Sequence, residues 1–110
     1  MDLVQLREQI DEIDSQIVEL YERRMEVAKG IAEYKLSVGK KVFDKQREVE
    51  KLEKVSSLAH NEFNAKGIKE LFEQIMSVSR KLQYGLLAKH GSSGRLPFIA
   101  VEDLDREGAR

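Results

Sequence analysis

The sequence predicts an all-α chain of three helices, the first of them very long, that pairs with a second copy of itself. Three observations carry this. Apolar residues recur in alternating steps of three and four through most of the chain, the seam spacing of packed helices. The only proline is Pro97, so ring geometry breaks no helix upstream of it. Nothing before Leu96 reads as a strand and no internal repeat is visible, while Gly39, Gly67, Gly91 and Gly94 mark the expected joints.

The first helix is expected from about Asp2 to Val38. Its seam is Leu3, Leu6, Ile10, Ile13, Ile17, Leu20, Val27, Ile31 and Tyr34, and Gly39 is placed to end it as the residue after the C-cap. A helix of about 36 residues is roughly 54 Å long at 1.5 Å per residue. A compact domain of about this size has a radius of gyration near only 13 Å. One end of the helix must therefore project beyond its own chain and carry an apolar stripe into water, and a partner chain is the simple remedy.

The second helix is expected after Asp44, a good N-cap, and to run to about Ala59 with Val49, Leu52, Val55 and Ala59 inward. The third is expected from near Asn64, another good cap, to about Leu87. Its buried stripe is expected to be Ile68, Leu71, Ile75, Val78, Leu82 and Leu86. The composition changes at Gly91: GSSGR reads as a flexible linker, and LPFIAVEDLDREGAR is too short and charged to build a core. The expected division is thus a helical domain over 1–90 and a linker with tail over 91–110.

Composition narrows the function. Apolar residues make up 41% and charged residues 35%, a mixture suited to helices with one buried and one wet face. A net charge of -1 gives no global field for nucleic acid or an anionic membrane, so an anion site must gather its cations locally. With no cysteine there is neither disulfide nor thiolate chemistry, and His60 and His90 show no metal-ligand spacing. No apolar run approaches the roughly 20 residues that span a bilayer. The acidic, interrupted start MDLVQLREQIDEID does not read as a signal peptide. A cytoplasmic protein is expected.

The informative residues are polar groups where packing wants apolar ones. Arg24 falls one heptad after Ile17 and one before Ile31, in the centre of the seam. Lys35 follows three helical turns later and points nearly the same way. Ser79 and Gln83 share a face of the third helix, spaced i,i+4. Glu48 lies on the inner side of the second helix, with Arg47 at its flank. Each has an ordinary explanation taken singly. An arginine in a seam can fix register or extend its head to water, Lys35 suits a helix C-terminus, Ser79 can bond back to its own helix, Gln83 can sit at an amphipathic edge, and Arg47 with Glu48 can form a solvated face. Together they are harder to dismiss, because three helices each bring polar groups to one interior. An unpaired buried charge costs several kcal/mol, about 3–5 when a partner is missing, so two cations in a bundle imply an anion between them. Arg7, at the edge of the same stripe, is 17 residues before Arg24, roughly 26 Å along the axis. It can join that site only from the other chain of an antiparallel dimer.

The run LREQIDEIDSQIVELYERRMEVAKGIAEYK, followed by VFDKQREVEKLEKV, resembles the AroQ-class chorismate mutases. The likeness spans about residues 3 to 88, and its most specific elements are LRxxIDxID, the RR–A–I–YK pattern, and D-x-x-R-E opening the second helix. The resemblance implies an intertwined homodimer of three-helix chains with the long first helix crossing between them. It implies that Arg24 binds one substrate carboxylate and Arg7 of the other chain the second. Lys35 and Gln83 would serve the ether oxygen, Asp44 and Glu48 the substrate hydroxyl. Arg47 would line that end and Ser79 would assist at a carboxylate. Matching the third helix needs one deletion between helices two and three. The tail resembles the connector of bifunctional proteins in which a prephenate dehydratase is fused after the mutase, so a mutase-only piece of such a protein is expected.

The implied substrate, chorismate, is a dianion whose conversion to prephenate is a unimolecular rearrangement. It needs no nucleophile, proton shuttle, metal or cofactor. What a protein must supply is a compact conformer and stabilisation of the charge growing on the ether oxygen. Two other functions fit parts of the pattern. A lyase removing pyruvate from isochorismate would use a similar cationic pocket, though the motif detail favours the mutase. A non-catalytic dimerisation module would explain the seam but not the convergent polar set. Nucleic-acid binding is disfavoured, because acidic residues balance the basic ones along the outer faces.

Overall fold

The computed structural model of the chain describes residues 1–92. It is all-helical over that span, with α1 at Leu3–Ser37, α2 at Lys45–Ser57 and α3 at Glu62–Ser92. The tail from residue 93 onward lies outside the described residues. Among the described residues no helix is long and apolar enough to cross a membrane.

Both ends of α1 are closed by local chemistry. Asp2 is the N-cap, its carboxylate accepting from the Gln5 N–H at 2.9 Å while the Gln5 side chain accepts from the Asp2 N–H at 3.0 Å, a capping box. At the other end Gly39 takes φ 74°, the left-handed turn that a side chain disfavours. The Lys40 N–H then donates to the Lys35 carbonyl at 2.8 Å and the Gly39 N–H to the Leu36 carbonyl at 3.3 Å. This pair of bonds is the Schellman closure expected of a glycine at that position.

The chain then turns inward. Val42 and Phe43 are buried just before α2, and the Asp44 carboxylate caps that helix by accepting from the Arg47 N–H at 3.0 Å. The start of α3 differs from expectation. Its cap is Asn61, whose Oδ1 accepts from the Asn64 N–H at 2.7 Å, so Asn64 lies inside the first turn. The asparagine three residues upstream reaches the free N–H groups first. Gly67 consequently lies within α3 and not at a joint, and nothing within 4 Å crowds it. A single glycine costs a helix about 1 kcal/mol, which the remaining turns of α3 absorb. At its far end α3 continues past Leu87 through Gly91 to Ser92.

Both other helices pack on α3. α2 runs antiparallel to it, since Glu48 pairs with Arg80 near one end and the Ser56 hydroxyl donates to the Ala65 carbonyl at 3.3 Å near the other. The C-terminal half of α1 runs alongside α3 in the same direction, with Arg24 over the Phe72 ring and Ala32 in one cluster with Leu87. That cluster, Ala32, Val42, Phe43 and Leu87 with Leu36, Tyr84 and Leu86 against it, is the core.

The N-terminal half of α1 has no such cover. Every residue from 1 to 20 is exposed. The radius of gyration is 17.4 Å and the longest extent 59 Å, against about 13 Å for a compact domain of about 100 residues. The expected stripe on α3 is also only half covered: Leu71 is 51% and Val78 36% exposed, whereas Met76, Ser79 and Leu87 are the residues buried there. α3 therefore has two apolar sides, one turned into its own chain and one left open.

Candidate active site

The sequence-derived residues divide into three groups. Arg24, Lys35, Glu48, Ser79 and Gln83 come to one stretch of the three-helix unit. Arg24 lies over Phe72 and Ala32 packs with Leu87, so α1 from Arg24 to Lys35 runs beside α3 from Phe72 to Leu87. That stretch of α3 holds Ser79 and Gln83, and Glu48 reaches it from α2 through Arg80. Asp44 and Arg47 stand exposed at the start of α2. Arg7 lies far along the projecting half of α1, exposed and 17 residues from Arg24, roughly 26 Å by helical rise.

Arg24 is half-buried, with its guanidinium carbon 5.7 Å from the Phe72 ring centre. An aromatic face at that distance holds a cation without neutralising it, and Arg24 makes no ion pair among the described residues. Its full charge stays available to an anion. Around it Ile17, Leu20, Tyr21, Leu71, Ile75 and Val78 line an open apolar groove of about 500 Å³.

Lys35 is also half-buried. Its Nζ donates to the Val42 carbonyl at 3.4 Å, which ties the ammonium to the loop between α1 and α2. An ammonium has three donors, so this single long bond leaves most of its capacity unused. The Schellman turn that accepts on the Lys35 carbonyl fixes the backbone from which the side chain extends.

On α3, Ser79 is 8% exposed and Gln83 is half-buried. The Gln83 Oε1 is buried and meets no hydrogen-bond partner among the described residues. Leaving such a group unpaired costs about 1–3 kcal/mol, and buried polar atoms without partners are few in folded proteins. Its amide can turn over and present N–H instead. In either orientation one end of it asks for a partner that the described residues do not supply.

Two features of the site were not read from the sequence. Phe72, beneath Arg24, fell outside the expected stripe although it lies one residue after Leu71. Arg80 pairs with Glu48 across 32 positions of sequence and lies over the buried Phe43, its guanidinium carbon 5.9 Å from the ring centre. No local spacing reveals a pair that distant. Chemically the arrangement offers two cations on α1, a neutral amide and a hydroxyl on α3, and a carboxylate on α2. It can bind and orient an anion with hydroxyl or ether oxygens.

The model of a family described as chorismate mutase type II matches residues 6–84, which takes in every candidate site residue from Arg7 to Gln83. A curated relative, the bifunctional chorismate mutase/prephenate dehydratase of Buchnera aphidicola subsp. Schizaphis graminum (strain Sg), is 32% identical over 109 residues, 98% of this chain. The chain spans 28% of that relative's length. No solved structure matches.

Proposed function

The chain belongs to the chorismate mutase type II family, and from that premise we propose that it rearranges chorismate to prephenate on the route to phenylalanine and tyrosine. The observation that carries the reading is the approach of Arg24 and Lys35 to the stretch of α3 where Gln83 keeps an amide oxygen buried and unpaired. A dianion with an ether oxygen meets all three demands. It neutralises the cations, and the Gln83 amide, turned over so that its N–H groups face the ligand, donates to the ether oxygen.

In this reading Arg24 holds one carboxylate, braced by Phe72, and Ser79 assists there. Lys35 and Gln83 donate to the ether oxygen, where negative charge grows as the carbon–oxygen bond breaks and a carbon–carbon bond forms within the same molecule. Donors fixed before the reaction, in a site that excludes water, stabilise that charge without reorganising. Holding the substrate in its compact conformer supplies the rest of the rate. Glu48 and Asp44 accept from the substrate hydroxyl, and Arg47 lines that end. Asp44 already accepts the Arg47 N–H, but an ionised carboxylate offers about four acceptor positions. No metal or cofactor enters the chemistry.

The second carboxylate is assigned to Arg7 of the partner subunit in an intertwined antiparallel homodimer. Two things support this. The seam of α1 is exposed along its first half, and the apolar groove between α1 and α3 is open beside Arg24. A second copy of α1 laid antiparallel across that groove covers both stripes and brings its own Arg7 toward Arg24. The relative's name joins the mutase to a prephenate dehydratase, and a fused domain consuming prephenate is the companion this reading expects.

The test is direct. The protein is incubated with chorismate, the loss of its absorbance is followed, and the product is identified by chromatography against prephenate. Prephenate formation supports the proposal. Absence of turnover, or turnover of isochorismate with release of pyruvate instead, contradicts it.

A further inference from the structure

Arg80 stands one residue beyond Ser79 and three before Gln83, on α3. Its side chain is 22% exposed, and it pairs with Glu48 of α2, whose side chain is 25% exposed. The guanidinium also lies over Phe43, which is buried in the core and therefore fixed independently of Arg80. The pair is thus held by two helices and a ring. An ion pair between waving surface chains contributes little; this one is largely covered and its geometry is set by its surroundings.

The pair matters because of where Glu48 sits. In a site for a dianion, a carboxylate is an awkward neighbour: it can accept from a hydroxyl, but it repels the substrate's own carboxylates. We propose that Arg80 is a positioning residue of the site, holding the Glu48 carboxylate in place between α2 and α3 and cancelling its charge. Glu48 then accepts from the ligand hydroxyl without driving the dianion away. A carboxylate that accepts from Arg80 retains capacity for a hydroxyl, since its two oxygens offer about four acceptor positions. The proposal rests on the chorismate reading, and it adds to it a fixed cation that need not touch the substrate.

The experiment uses chorismate as the probe and four variants: Arg80→Met, Arg80→Lys, Glu48→Gln, and Arg80→Met with Glu48→Gln. Methionine keeps an apolar stem over Phe43 and removes the charge together with its N–H donors. For Arg80→Met, KM rises about tenfold, equivalent to 1.4 kcal/mol, while kcat stays within about threefold, the signature of a binding effect. Lysine restores most of the loss. Added salt narrows the KM gap between Arg80→Met and the parent, because it screens the Glu48 charge that Arg80 no longer offsets. In the Glu48→Gln background no charge remains to cancel, so Arg80→Met then moves KM less than about twofold. Circular dichroism and thermal unfolding of each variant separate these effects from loss of fold. An unchanged KM with a lowered melting temperature would make the pair a structural bridge and overturn the proposal. So would the same tenfold loss in both backgrounds, which would mean that Arg80 acts on the ligand itself. If the parent does not convert chorismate, the functional reading falls and this falls with it. If the parent is active and Arg80 is silent, only this one does.

Discussion

Placing a charge at Ile17 tests whether the open seam of α1 is an interface. Ile17 is 53% exposed on the single chain and lines the apolar groove with Leu20, Leu71 and Val78. Fully burying an isoleucine stabilises by about 1.5–3 kcal/mol, so covering the exposed half contributes about 1 kcal/mol. Twofold symmetry counts the position twice, and about 2 kcal/mol corresponds to roughly a 30-fold change in the dimer Kd. Lysine at that position also asks the interface to desolvate a charge, so the Ile17→Lys variant weakens the dimer at least this much. The control is Ser15→Lys, which adds the same charge on the face of α1 opposite the seam. Sedimentation velocity over a dilution series measures both, with the parent at about twice 12.7 kDa at micromolar concentration. A parent that sediments as a folded monomer, or an Ile17→Lys dimer as tight as the Ser15→Lys control, would mean that the seam is not an interface.

Three further predictions follow from local features. Asn61→Ala lowers stability by about 1 kcal/mol through loss of the α3 cap, whereas Asn64→Ala, which leaves that cap intact, changes it by only a few tenths; chemical denaturation compares them. Gly39→Ala costs about 1–2 kcal/mol in thermal or denaturant unfolding, because a Cβ strains the left-handed turn while nothing within 4 Å would clash with it. Gln83→Glu keeps the fold but makes turnover rise as the medium becomes acidic. An ionised glutamate can only accept and repels charge growing on the ether oxygen, and a protonated one can donate as the amide does. A rate that stays flat and near parental across about pH 3.5 to 8, which spans the reference glutamate value of about 4.3, would show that Gln83 does not touch the reacting oxygen.

How legible the molecule was depended on whether the physics is local. α1 could be read to within a residue, because its heptad seam, Asp2 and Gly39 all act within one or two turns. The start of α3 could not. Asn61 and Asn64 are equally good caps as residue types, and only the order in which they meet the free N–H groups decides between them. Gly67 looked like a joint because a glycine is a joint in one setting and a tolerated cost in another. The periodicity assigns the α3 stripe to one face, yet Leu71 and Val78 stand open while Met76 and Ser79 are covered. A helix with two apolar sides blurs the contrast on which the periodic reading relies. Arg24, Lys35 and Gln83 stand out in the sequence as candidates because each is a polar group in or beside an apolar stripe. Arg80 interrupts nothing: it reads as an ordinary charge on a helix edge, and its partner lies on another helix.

A catalytic site assembled from two chains can be tested by mixing two inactive variants. Arg7→Ala and Arg24→Ala are each expected to be nearly inactive alone, since every site in either dimer lacks one of the two carboxylate-binding cations. After being unfolded and refolded together in equal amounts, about half the dimers contain one chain of each kind. Each such dimer has one site with both arginines and one with neither, so about a quarter of the parental activity per chain returns. Recovery near that fraction, with heterodimers verified by mass, is what a shared site predicts. Heterodimers that form in full and remain inactive would contradict it.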